Sequence, residues 1–125
     1  MDWTFRSDLP IYSQLVERIK QAIVSGAMPP GARLNSVRDL ATEAGVNPNT
    51  MQRALQELER EGLVYANRTA GRFVTEDIAR IQEARKALAA VQVRDFLEAM
   101  KKLGCDYKEI LALLAGEKEE QDADL

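Results

Sequence analysis

The sequence predicts a mainly α-helical fold with a small β-hairpin: a compact N-terminal domain of three helices and two strands, followed by a two-helix extension. Three observations predict it. Apolar residues recur at helical spacing in three segments before Gly62, two short β-type runs follow within residues 63–75, and neither Pro nor Gly interrupts residues 77–103. At 125 residues the chain has room for one domain and an appendage, and 46% hydrophobic with 30% charged residues is the balance of a folded, soluble protein.

The first helix is read from Ile11, Leu15, Ile19 and Ile23, with Tyr12 and Val16 beside them. It begins near Pro10 and stops at Gly26, and the loop Met28-Pro29-Pro30-Gly31 prevents its continuation. Ser36 then precedes Val37, Leu40, Ala41 and Ala44, with Asp39 at capping-box spacing, and Gly45 ends this short second helix. Asn47 is a good N-cap for the third helix, and Pro48 suits its first turn because the missing N–H has no partner there in any case. Met51, Ala54, Leu55 and Leu58 form its buried face, and Gly62 closes it.

Leu63-Val64-Tyr65 and Phe73-Val74-Thr75 read as two strands around the turn Asn67-Arg68-Thr69-Ala70-Gly71. From Asp77 to Leu103 one long helix of about 40 Å follows, at 1.5 Å per residue. Its early apolar stripe (Ile78, Ile81, Leu88, Val91) is out of line with the later one (Val93, Phe96, Leu97, Met100, Leu103), as expected of a helix that touches two surfaces. Gly104 breaks it. Asp106 and Glu109 then have capping-box spacing for a last helix carrying Ile110, Leu111, Leu113 and Leu114. The acidic segment from Glu117 to Leu125 is expected to fray.

Composition narrows the function. With no histidine and the single Cys105, the chain offers no His base, no disulfide and no Cys-pair zinc site, which suits a reducing compartment. No metal or cofactor is expected. No apolar run approaches the ~20 residues of a membrane span, and the start Met1-Asp2-Trp3 is unlike a signal peptide, so a cytoplasmic location is expected. The net charge of −3 is unevenly spread. Residues 1–75 hold nine basic and eight acidic groups, and eight of those nine are arginine; residues 76–125 hold eight basic and twelve acidic groups. Arginine presents a planar fork suited to phosphate and guanine, so nucleic acid stays open as a partner.

Two short helices joined through Ala44-Gly45-Val46 make a helix-turn-helix, and the hairpin after it makes a wing. The polar side of the third helix bears Asn49, Gln52, Arg53 and Gln56, opposite the Met51/Leu55/Leu58 stripe. Amide and guanidinium groups read base edges bidentately, and the helix start presents unpaired N–H groups to a phosphate. In helix-turn-helix docking this N-terminal part of the recognition helix enters the major groove, with Asn47, Asn49 and Thr50 foremost. The bland alternative is a solvated helix face with ordinary caps.

The runs Pro10-Ile11-Tyr12-Ser13-Gln14-Leu15, Pro30-Gly31-Ala32-Arg33-Leu34, Ser36-Val37-Arg38-Asp39-Leu40-Ala41 and Gly45-Val46-Asn47-Pro48-Asn49-Thr50-Met51-Gln52-Arg53-Ala54-Leu55 closely resemble the GntR family of bacterial transcription regulators. Glu57 to Val64 and Gly71-Arg72-Phe73-Val74 continue the resemblance, which covers roughly residues 8–76. Asn47-Pro48-Asn49-Thr50 and the short helical tail resemble the YtrA-type subfamily. Two departures stand out. Asn35 occupies a place usually held by proline, and Thr69 replaces the first glycine of a Gly-x-Gly wing turn whose second is kept by Gly71. The second bears on how closely the wing backbone approaches DNA.

The resemblance implies a winged helix-turn-helix DNA-binding domain over 8–76, a helical dimerisation extension over 77–116 and a disordered acidic tail over 117–125. It implies DNA contacts by Ser36 and Arg38 at the start of the second helix, by Asn47, Asn49, Thr50, Gln52 and Arg53 on the third, and by Arg68, Gly71 and Arg72 in the wing. Each has a plainer rival: Arg38 as an ion-pair partner, Thr50 as a cap, Arg33, Arg68 and Arg72 as solubilising charge. Tyr12 is expected between the first helix and the wing. Val93, Phe96, Leu97, Met100, Ile110, Leu113 and Leu114 are the expected dimer contacts. The whole reads as a homodimeric repressor on a palindromic operator in double-stranded DNA, its small-molecule effector unspecified. A winged-helix interaction module without specific DNA binding is the alternative, and an enzyme finds no candidate site.

Overall fold

A computed structural model describes residues 1–123 of the chain. The elements run α1 (Ile11–Val24), α2 (Val37–Ala44), α3 (Pro48–Arg60), β1 (Val64–Asn67), β2 (Gly71–Val74), α4 (Ile78–Lys102) and α5 (Tyr107–Ala123). They form two compact units, Met1–Lys86 and Ala87–Leu125. The mainly helical class with a small antiparallel hairpin and C-terminal helices is what the periodicity predicted; Asp124 and Leu125 lie outside the described residues.

In the first unit, Leu15, Ile19 and Ile23 of α1 pack with Met51, Ala54, Leu55 and Leu58 of α3, each at most 1% exposed. Leu40, Ala41 and Ala44 bring in α2, and Leu63, Val64 and Val74 bring in the hairpin. Burying one such large side chain is worth roughly 1.5–3 kcal/mol, so this cluster dominates the stability of the unit. The caps fall where expected. The Ser36 side chain accepts from the Asp39 amide at 3.1 Å, and the Asn47 side chain accepts from the Asn49 amide at 2.7 Å, with Pro48 in the first turn.

Gly45 ends α2 in the left-handed region (φ 69°), which lets the Val46 amide reach back to the Ala41 carbonyl at 3.0 Å. Nothing lies within 4 Å of where a Cβ would stand, so an alanine there meets backbone strain alone. Gly45→Ala is expected to cost about 1–2 kcal/mol, the penalty of a left-handed L-residue. Urea unfolding followed by circular dichroism checks this, and an unchanged midpoint would show that the turn relaxes.

Four features differ from the sequence reading. The hairpin is longer, pairing Asn67 with Gly71 at its tip, because the Asn67 side chain accepts from both the Thr69 amide (3.0 Å) and the Thr69 hydroxyl (3.1 Å). Thr69 therefore stabilises the turn with an ordinary φ, while Gly71 takes φ 103°. Second, residues 31–34, of which the sequence reading assigns only Gly31, to a loop, pair with β2: Arg33 bridges Phe73, the Val74 amide donates to the Ala32 carbonyl at 2.8 Å, and the Leu34 amide to the Arg72 carbonyl at 2.9 Å. Third, residues 6–9, for which the sequence reading assigns no structure, are held on α1 by buried Gln14. Its amide nitrogen donates to the carbonyls of Arg6 (2.8 Å) and Leu9 (3.0 Å), and its oxygen accepts from the Arg6 amide (2.7 Å). Fourth, of the expected early stripe of α4 only Ile81 is buried, 8% exposed with Ala84 beside it, while Ile78 and Val91 stay exposed; the helix also reaches this unit through Arg80, whose Nε donates to the Glu61 carbonyl at 2.7 Å.

In the second unit Asp106 and Glu109 form the expected capping box: the Glu109 amide donates to Asp106 at 2.9 Å and the Asp106 amide to Glu109 at 3.2 Å. Helix α5 does not end at Gly116. It runs through Glu117–Ala123, a correction to the disordered tail expected there. Glu117, Lys118, Glu119, Glu120 and Gln121 are strong helix formers and no proline intervenes, so local propensity carries the helix on. No helix among the described residues is long and apolar enough to cross a membrane.

Candidate nucleic-acid interface

The burial of Met51, Ala54, Leu55 and Leu58 decides which side of α3 faces out. Asn47, Asn49, Arg53 and Gln56 are exposed, whereas Thr50 and Gln52 are half-buried at the margin. Thr50 is not the cap, since Asn47 fills that role. Ser36 and Arg38 are exposed at the start of α2; the Ser36 oxygen accepts from Asp39, which leaves its hydroxyl proton free to donate. Arg33, Leu34, Asn35, Ser36 and Asp39 line a polar depression of about 290 Å³ where the strand-like segment enters α2. Asn35 is tied to Glu43 at 3.3 Å, a side-chain anchor in place of a proline's stiffness.

Ion pairing sorts the arginines. Arg6 pairs with Asp8 (2.7 Å), Arg18 with Asp2 (3.8 Å), Lys20 with Glu61 (2.6 Å), Arg60 with Glu57, and Arg72 with Glu59 (2.5 Å). The three acids at the far end of α3 are thus each matched by a cation, from α3 itself, from β2 or from α1. Hydrogen bonds from Arg60 hold the Glu57 carboxyl below its ordinary range, and the same bonds raise the Arg60 guanidinium. Among the described residues up to Thr75, Arg33, Arg38, Arg53 and Arg68 remain without an acidic partner. They sit on the segment before α2, on α2, on α3 and in the hairpin turn. Composition cannot make this division, because it depends on which acid each arginine meets in space.

Two placements depart from expectation. Arg72 is turned to Glu59 with its side chain 20% exposed, so it is not a free charge at the wing tip. Tyr12 is half-buried against the core cluster, and its ring lies under the Arg53 guanidinium, 4.5 Å from carbon to ring centroid, a contact with the recognition helix that the sequence reading did not anticipate. Wing stacking is between Tyr65 and Phe73, with centroids 5.6 Å apart. Arg33, whose Nε would lie 3.4 Å from a Cβ at residue 71, leans over the wing glycine.

In the second unit, Val93, Phe96 and Leu97 of α4 meet Tyr107, Ile110, Leu111 and Leu114 of α5 around an apolar groove of about 500 Å³. Met100 and Leu113 do not line it, and Ile110 is 5% exposed, the floor of the groove rather than its rim. Tyr107 was missed by the sequence reading, although Tyr107, Leu111 and Leu114 have helical spacing that marks one face.

The family model for bacterial regulatory proteins of the gntR family matches residues 11–74. The chain belongs to the GntR family. This GntR protein is 36% identical to the HTH-type transcriptional repressor YtrA of Bacillus subtilis, over 82% of its own length and 91% of the repressor's. Among solved structures, a GntR family transcriptional regulator from Listeria monocytogenes is 39% identical and superposes with a TM-score of 0.83, covering 90% of this chain and 98% of that one. A DNA-binding domain of AraR, solved in complex with operator ORX1, is 28% identical with a TM-score of 0.54, over 58% of this chain and 93% of that one. The Listeria structure spans both units, so the helical extension belongs to the likeness as well as the winged helix.

Proposed function

We propose that this GntR-family protein is a sequence-specific DNA-binding transcription regulator, a homodimeric repressor that reads a palindromic operator in the cytoplasm without cofactor or catalysis. The observation that carries this reading is the sorting of charge. Of the nine basic residues up to Thr75, five are neutralised by acids, and the four left over sit on the elements that a winged helix presents to a duplex. Asn47, Asn49, Thr50, Gln52 and Arg53 are the base-reading candidates on α3. Ser36 and Arg38 serve the start of α2, and Arg68 with the backbone at Gly71 serves the wing. The AraR domain bound to its operator, and the YtrA repressor, support the same direction. Residues 8–76 form the reading head and residues 77–116 the dimerisation element, built on Val93, Phe96, Leu97 and Leu114 over Ile110, with Met100 and Leu113 beside them.

Selection of bound duplexes from random DNA, followed by titration at rising salt, tests the proposal. Four arginines on each of two protomers give about eight phosphate-range charges, so the slope of log affinity against log salt is expected to approach about −7. A slope near zero, or no enriched sequence, defeats the reading. The Tyr12 ring beneath Arg53 adds a finer test. Tyr12→Phe keeps the aromatic face and is expected to bind as the parent does, whereas Tyr12→Leu is expected to lose about 0.5–1 kcal/mol of operator affinity. Equal binding by both variants would show that the stack does not orient Arg53.

A further inference from the structure

We propose that Arg72 is a positioning residue: it fastens the wing to the recognition helix through Glu59 instead of contacting the duplex. The inference rests on the DNA-binding reading above. Arg72 Nε donates to Glu59 Oε1 at 2.5 Å, and the two side chains keep 20% and 28% of their exposure. The pair links β2 to α3 across 13 residues of sequence. A guanidinium balanced at this distance by a carboxylate presents little net charge to a phosphate, unlike Arg68, which no acid meets among the described residues.

The surroundings of Arg72 suit a fastening. On its backbone side, the Leu34 amide donates to the Arg72 carbonyl at 2.9 Å, so the segment before α2 grips the same residue that Glu59 grips by its side chain. Gly71, immediately before it, takes φ 103° and lies against the Arg33 side chain. A hairpin with strands of four residues each has little stability of its own. What holds its angle to α3 therefore decides whether the turn 68–70 and the recognition helix reach one duplex together. Removing the pair is expected to loosen that angle and weaken binding without removing a phosphate contact.

The test uses the full chain and two probes: a duplex enriched from random DNA by the parent protein, and a random duplex of equal length. The parent's salt-dependent binding to the enriched duplex tests the DNA reading by itself. Arg72→Glu is expected to weaken binding about tenfold, and the exchanged pair Glu59→Arg with Arg72→Glu to restore it to within about twofold, at unchanged net charge. Arg72→Gln is expected to keep the parent's salt slope. An exchanged pair that binds as weakly as Arg72→Glu overturns the proposal. So does an Arg72→Gln slope reduced by about one per bound protomer, the mark of a lost phosphate contact. The near-isosteric Glu59→Gln guards against misfolding: with an unchanged melting curve it is expected to weaken binding, and tighter binding would show that Glu59 merely competes with DNA for Arg72. Hydrogen exchange in the free protein needs no DNA. Glu59→Gln should speed exchange at the amides of residues 64–67 and 71–74, and the exchanged pair should slow it again; no change refutes the fastening even if no duplex is bound.

Discussion

A chain ending at Lys86 is expected to sediment as a monomer and to bind the palindrome at least a hundredfold more weakly than the full chain. Two linked half-site readers gain from effective concentration, which raises avidity by about 10²–10⁴ over one reader, and loss of the link removes that gain. The end point follows from the structure. Residues 1–86 form one unit, with Ile81 buried in its core and Ala84 packed on it, so a cut at residue 76 would also strip an isoleucine from the winged helix. Emptying a site of that size costs about 2–5 kcal/mol, which would confuse unfolding with loss of dimerisation.

The full chain bears Val93 at 55%, Phe96 at 40%, Leu111 at 50% and Leu114 at 50% exposure around one apolar groove. A clustered apolar surface of this kind marks an interaction site. Each large side chain buried on a partner is worth roughly 1.5–3 kcal/mol, and two protomers contribute in parallel, enough to offset the cost of association. Phe96→Ala with Leu97→Ala should therefore reproduce much of the truncation's effect while the first unit melts as before. Sedimentation equilibrium with operator titration checks both. A truncated chain that stays dimeric, or a monomeric full chain that still prefers the palindrome, contradicts the dimer.

Arg53→Ala is the second large effect, at about 1–3 kcal/mol for each half-site if the guanidinium makes a bidentate base contact. Arg53 is exposed, has no acid partner among the described residues, and lies over the ring of Tyr12. It is charged and oriented before DNA arrives, so little is lost in ordering it. Arg53→Lys separates the two modes of contact. Lysine keeps the charge and loses the fork, so a base contact fails in both variants while a phosphate contact survives in lysine. Titration against the selected duplex and against a random duplex tells them apart: a base contact weakens only the first. If Arg53→Ala alters neither titration, the residue lies off the interface.

The helices were legible because their causes are local. Ser36, Gly45, Asn47 with Pro48, and Asp106 with Glu109 act over two to four residues, and each performs in the structure the cap or stop that its spacing announced. The tail was misjudged by the same kind of argument. Acidic composition suggested fraying, while the helix propensity of Glu117 to Gln121 carried α5 through Ala123. The third strand-like segment was hidden because Gly31, Ala32 and Leu34 find their partners in β2, some forty residues onward, and a Pro-Pro-Gly run reads as loop until those partners are in place.

By itself, then, the sequence determined the order and type of elements, the buried stripes of α1, α2 and α3, and the side of α3 that faces out, since all of these follow from period and capping within a few residues. Only the tertiary structure decided which charges are available. Glu61 meets Lys20 across 41 residues and Glu59 meets Arg72 across 13, and Tyr12 arrives under Arg53 from a separate helix. A Coulomb partner is chosen by distance in space, and no local pattern in the chain encodes that distance.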